Sequence, residues 1–184
     1  MLVHRVFPHD PAARRPDQPG HPLYVHPDQG LGRLDNPDRY RVRYLALDPA
    51  AAVAEAFGNL TIWQPSMLRF PQLPGATRAL GVYRLDEQRH PLLDLDDARN
   101  LLDRGLRPTQ VIARDRPATQ AWARRIHEEG PWAGVRWWSF HRPHWTVVGL
   151  WADDALEVVD IQAIAGHPAL VDAARSLGKI LRGW

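Results

Sequence analysis

Arg33, Tyr44 and Glu55 follow one another at intervals of eleven residues, and Ser139 stands far downstream. A guanidinium can pair with a phosphate through two parallel hydrogen bonds. An aromatic ring can stack on a base. A carboxylate can stabilise an oxocarbenium-like transition state. Together these are the parts needed to hold a dinucleotide and break a glycosidic bond. The segment that carries the three reads GRLDNPDRYRVRYLALDPAAAVAEAFG, residues 32–58.

The elements around this segment can be read from local chemistry. Residues 8–38 are rich in Pro, Gly, Asp and His and predict a long loop. Loops of that length inside a compact domain are often functional. Leu2, Val3, Val6 and Phe7 predict a short first strand. Tyr40–Leu47 predicts a strand with Val42, Tyr44 and Ala46 on one face and Arg41, Arg43 and Leu45 on the other. Asp48 is placed to cap a helix, with Pro49 at its first position and Gly58 at its end. Glu55 then lies in a short, Ala-rich helix with Ala51 and Ala52 on its own face.

Further along, Ala79–Leu85 predicts a strand and Asp94–Leu106 a helix capped by Asp94. Thr119–Glu129 predicts a helix led by Pro117 and ended by Gly130. Strands are expected over Gly134–Phe140, Thr146–Trp151 and Leu156–Ile161, and a last helix over about 168–181. Strands and helices mix without regular βαβ alternation, so the expected class is α+β in one domain spanning 1–184. Six of the eight Trp fall between residues 122 and 151, which predicts a packed aromatic core. Trp184, at the end of the chain, needs a packing surface, either a partner or the last helix.

Bulk properties narrow the function. There are no Cys, so neither a disulfide framework nor thiolate chemistry is expected. No run approaches the apolar length of a membrane span, and no signal-peptide pattern opens the chain, which fits a cytoplasmic protein. The pI of 9.4 reflects 22 Arg against one Lys, with a net charge of only +2. The arginines are interleaved with acids, so direct nucleic-acid binding is not expected. His141 and His144 are three apart, but no acid or Cys completes a ligand set, and no metal is expected. No Gly-rich phosphate loop is present, so arginines must hold any phosphates.

The ordered series HRVF with Arg5, GRLDNP with Arg33, RYLALD, AAVAEAF with Glu55, TQAWARRIHEEG and AGVRWWSF ending near Ser139 resembles the RES domain family over about residues 2–160. The family is named for its Arg, Glu and Ser positions. His4 stands where the family usually has an aromatic residue, and Phe140 where Arg often follows the Ser.

The resemblance implies an ADP-ribosyltransferase-like mixed sheet and an enzyme that takes NAD as substrate, cleaving its nicotinamide–ribose bond by hydrolysis or phosphorolysis. It also implies a toxin neutralised by a helix-turn-helix (Xre-type) antitoxin, and leaves homodimerisation open. Alternatives are a protein ADP-ribosyltransferase and a catalytically silent partner of a helix-turn-helix protein. On this resemblance Glu55 holds the nicotinamide ribose and stabilises the cationic transition state. Arg33 clamps the diphosphate or ribose rather than pairing with Asp35 or Asp38. Tyr44 stacks on the nicotinamide or donates its phenol to a ribose oxygen. Ser139 bonds the carboxamide or positions Glu55. Arg5 is a second candidate phosphate ligand, or else a surface charge.

Overall fold

A computed structural model describes all residues, 1–184. Its centre is a mixed seven-stranded sheet. In chain order the strands are β1 (Leu2–His9), β2 (Arg43–Ala46), β4 (Thr77–Leu85), β5 (Leu92–Asp94), β6 (Gly134–Trp138), β7 (Thr146–Leu150) and β8 (Leu156–Ala163). Across the sheet they run β5-β6-β7-β2-β1-β4-β8. Only β5 and β6 pair in parallel; the other neighbours are antiparallel. A small parallel pair joins β3 (Ile62–Trp63) to β9 (Ile180–Leu181). The architecture is α+β, as expected.

The sheet is split in its middle. β1 pairs with β4 along its whole length, and β2 pairs with β7 along its whole length. Between β1 and β2 the only paired residues are His4 and Ala46. Beyond that point the strands diverge, and the gap is filled from elsewhere. Gln29, in the long loop, accepts from the Val42 amide at 2.7 Å and donates to the Val42 carbonyl at 2.8 Å. Its carboxamide takes the place of a neighbouring strand. β2 itself starts at Arg43, opposite Leu150 at the end of β7, rather than at Tyr40.

Helix α1 (Pro49–Phe57) bridges the split on one face. Its start is set by Asp48, whose carboxylate accepts from the amides of Ala50 and Ala51 at 2.6 and 3.3 Å. Such a cap is worth about 0.5–2 kcal/mol. Ala50 through Ala54 and Phe57 are buried against the sheet and against α5 (Pro168–Leu177). Small side chains let the helix sit close. Gly58 keeps a helical φ of −57°. Its role is spatial: a Cβ there would overlap the ring of His141.

The other face of the sheet carries Val3, Leu45, Tyr83, Val148 and Leu150. The long loop lies over it and is tied down by three donors. The Tyr83 hydroxyl bonds Pro22 O at 2.9 Å, Arg43 bonds Leu23 O at 3.2 Å, and Arg5 bonds Tyr24 O at 3.1 Å. The loop is a third layer rather than a free excursion.

Three expected elements differ. Residues 94–106 do not form one helix. Leu92 and Leu93 are buried as the edge strand β5, and Asp94 instead pairs with Arg136 at 2.9 Å. Asp97 caps the short helix α2 (Ala98–Leu102), and α3 (Pro108–Val111) follows. The last helix stops at Leu177 because Gly178 turns left-handed at φ 63°, and the chain continues into β9. The strand expected to reach Phe140 ends at Trp138.

The aromatic cluster is internal. Trp122, Trp137, Trp145 and Trp151 are buried, while Trp132 and Trp138 are half-buried. Trp184 docks within the chain, its indole Nε1 donating to Trp63 O at 3.1 Å. No helix is long and apolar enough to cross a membrane.

Candidate active site

The gap between β1 and β2 opens into a cavity of about 420 Å³. It is bordered by β1 and β2, by the loop at Gln29, Gly32 and Arg33, by α1 at Ala52, Glu55 and Ala56, and by Trp137 of β6 and Val147 of β7. Arg116, the first residue of α4 (Arg116–Glu128), completes the wall. Arg33, Tyr44 and Glu55 all face this one space. Their even spacing corresponds to a loop, a strand and a helix taken in order.

The loop that carries Arg33 is held rigidly. The Asp35 carboxylate, 6% exposed, accepts from the amides of Gly30 and Gly32 at 2.9 and 2.7 Å. It also accepts from the Tyr44 hydroxyl at 2.6 Å. That hydroxyl in turn accepts from the Leu34 amide at 3.0 Å. From the far side, Gln120 of α4 donates to the carbonyls of Gly30 and Gly32, each at 2.9 Å. Gly32 must lack a side chain, because a Cβ would overlap the Tyr44 hydroxyl and the Asp35 carboxylate.

Tyr44 therefore differs from one of its expected roles. Its phenol is engaged by Asp35 and Leu34 and is not free to donate to a ribose oxygen. Only its ring is left to border the cavity. Burial, then the Asp35 hydrogen bond, push the phenol well above its ordinary pKa. It stays neutral and serves as a strut.

Arg33 pairs with neither Asp35 nor Asp38. Its Nη1 donates to Val111 O, and its guanidinium lies 5.9 Å from the Trp137 ring centroid. Burial, then the nearby Arg116, lower its pKa, while Glu55 raises it. An arginine keeps its charge throughout the physiological range.

Glu55 is open to the cavity, on the same wall as Ala52. Ser139, 1% exposed, lies behind it. The Ser139 hydroxyl donates to Glu55 Oε1 at 2.5 Å and accepts from the His141 amide at 3.0 Å. Ser139 does not border the cavity, and its hydroxyl hydrogen is engaged by Glu55.

Arg5 is not a surface charge. By register it shares the face of Val3 and Tyr83, opposite to His4 and Val6, and it reaches the cavity edge only through the split. Its Nη1 is committed to Tyr24 O. Burial is the main cause of its lowered pKa, with the Arg43 guanidinium lowering it further.

Three residues escaped the sequence reading. Gln29 is visible only once the strands are seen to diverge. Arg116 sits in an ordinary helix start, and no local pattern marks it. His4 borders the cavity with a buried Nδ1 that has no partner, and burial lowers its pKa. No group of three or more His, Cys, Asp or Glu side chains converges to hold a metal ion.

The site is thus a cavity lined by three arginines from different elements, one carboxylate bonded to Ser139, and the aromatic side chains of Tyr44 and Trp137. A comparison with protein families finds one whose model, described as RES domain, matches residues 2–171. No curated protein matches the chain.

Proposed function

Since the chain belongs to the RES domain family, we propose that it cleaves the nicotinamide–ribose bond of NAD in the cavity between β1 and β2. The family is consistent with an NAD-utilising, toxin-like enzyme. The observation that carries the finer reading is the placement of Glu55. It is the one carboxylate on a cavity wall that also carries arginines, and Ser139 holds it from behind.

Breaking an N-glycosidic bond to a cationic leaving group needs no strong nucleophile on the protein. It needs a negative group fixed where positive charge develops on the ribose, and a substrate held still. Glu55 supplies the first. The Ser139 bond fixes one carboxylate oxygen and leaves the other to meet ribose hydroxyls. Arg33, on its clamped loop, supplies the second by binding phosphoryl oxygens. Tyr44 and Trp137 offer flat faces to the nicotinamide. The acceptor is water, phosphate or a protein side chain. A helix-turn-helix antitoxin would act by covering this cavity.

The test is incubation of pure, partner-free protein with NAD, with and without phosphate, followed by product analysis. ADP-ribose marks hydrolysis, ADP-ribose 1-phosphate marks phosphorolysis, and label carried onto protein marks transfer. A Glu55→Gln variant that keeps the fold should lose all three products. Intact NAD after incubation with folded wild-type protein would overturn the reading in favour of a binding module. Wild-type turnover in the Gln variant would remove Glu55 from the mechanism.

A further inference from the structure

Of the eight buried or half-buried arginines, Arg43, Arg104, Arg124 and Arg136 meet carboxylates, whereas Arg5, Arg33, Arg78 and Arg116 do not. Arg104 bonds Glu129 at 2.6 Å, Arg124 bonds Glu128 at 3.1 Å, and Arg136 bonds Asp94 at 2.9 Å. Arg116 has no ion pair. Its Nε donates to Leu31 O at 3.0 Å, and its Nη1 is buried without any acceptor. A buried donor of a charged group left unmade is costly, and such groups in native proteins normally have a partner.

Its neighbour deepens the anomaly. Arg33 borders the same cavity, likewise without an ion pair, and is close enough to feel the charge of Arg116. Each guanidinium is fixed by one backbone carbonyl, Val111 O for Arg33 and Leu31 O for Arg116. Each carries five N–H donors, so each keeps most of its fork free. Two fixed cations on one cavity repel, and the one carboxylate that borders it, Glu55, is bound to Ser139. The arrangement is complete only with an anion between them, of the planar or tetrahedral oxygen type that a guanidinium fork fits.

We infer that Arg116 and Arg33 together form a phosphoryl-binding clamp, with Arg116 as a substrate-binding residue outside the Arg33, Tyr44, Glu55 series. The inference rests on the reading of the cavity as the NAD site, and it adds Arg116 to the arginines that border it. The phosphoryl oxygens belong either to the diphosphate of the dinucleotide or to a free phosphate that serves as acceptor.

The experiment measures binding of inorganic pyrophosphate, orthophosphate and ADP-ribose by calorimetry to the wild type and to Arg116→Gln. Folding of the variant is checked by thermal unfolding. A lost charge-assisted contact of about 1.5–3 kcal/mol corresponds to a weakening of roughly one to two orders of magnitude. Weaker pyrophosphate and ADP-ribose binding identifies the diphosphate as the occupant. Weaker orthophosphate binding alone identifies the acceptor. Unchanged affinity for all three anions overturns the clamp, as does a wild type that binds none of them.

If Arg116→Gln does not fold, wild-type protein decides. Pyrophosphate should protect Arg116 from modification by phenylglyoxal, read by peptide mass, and absence of protection overturns the proposal. Anion binding that depends on Arg116 in a protein that leaves NAD intact would keep this site and sink only the proposed reaction.

Discussion

The hydroxyl of Ser139 donates to Glu55 Oε1 at 2.5 Å and ties helix α1 to the chain just beyond β6, across 84 residues of sequence. Ser139→Ala should leave the fold intact and the carboxylate loose. The expected result is a kcat for NAD cleavage lower by roughly one to two orders of magnitude, for a hydrogen bond to a charged group of about 1.5–3 kcal/mol. KM should change little, because the hydroxyl does not border the cavity. Steady-state kinetics check this, and an unchanged kcat would remove the tether from the mechanism.

Arg33 and Arg5 should separate cleanly. Arg33→Ala is expected to weaken NAD binding by roughly ten- to a hundredfold. Lys should rescue it poorly, since an ammonium lacks the fork. Arg5→Ala is expected to lower stability, because it frees the loop at Tyr24, while NAD affinity in the folded fraction stays near wild type. Calorimetry and denaturation on both variants give the answer. A selective loss of NAD affinity in Arg5→Ala would return that residue to the site.

Tyr44→Phe keeps the ring and removes the strut. Asp35 loses a donor and the Leu34 amide loses its acceptor. Stability should fall by about 1.5–3 kcal/mol, and KM for NAD should rise as the Arg33 loop loosens. Equilibrium unfolding in urea measures the first effect. Wild-type stability would mean that the Gly30 and Gly32 amides alone hold Asp35.

His4 predicts a pH effect. Burial holds its pKa below the ordinary 6.5; Asp48 pulls it up and His167 pushes it down. The unfolded chain therefore takes up a proton before the folded one does. Stability from this residue is complete above about pH 6.5 and is lost as pH falls toward the folded value. His4→Gln should flatten the acid limb of a stability–pH curve. His21 and His127 are shifted in the same direction and leave a residual slope. An unchanged acid limb would show that His4 does not contribute.

Expression of the chain alone should slow growth and deplete cellular NAD. Co-expression with a helix-turn-helix protein from the neighbouring gene should reverse both and yield a co-purifying complex. Normal growth with soluble protein and unchanged NAD would count against a toxin. Trp184 bonds Trp63 O within the chain and keeps 41% of its surface exposed.

Much of the site was legible because its parts are local. Asp48, Pro49 and the Ala run define α1 within a dozen residues, so the place of Glu55 follows from chemistry near at hand. The strand face shared by Val42, Tyr44 and Ala46 follows from alternation, and all three border the cavity. What stayed hidden depends on distant partners. Leu92 and Leu93 are strand only because β6 lies beside them. The Tyr44 phenol is engaged only because the loop folds back to present Asp35. Gln29 and Arg116 gain meaning only after two strands part and a helix start swings into the gap.

The split between β1 and β2 divides the sheet into β1, β4 and β8 on one side and β2, β5, β6 and β7 on the other. The chain passes between the sides four times: β1 to β2, β2 to β4, β4 to β5, and β7 to β8. The two sides are sewn together rather than hinged. No single break in the gene separates the two sides. One wall of the cavity cannot be exchanged for a foreign one as a block, and new specificity has to come residue by residue along its lining.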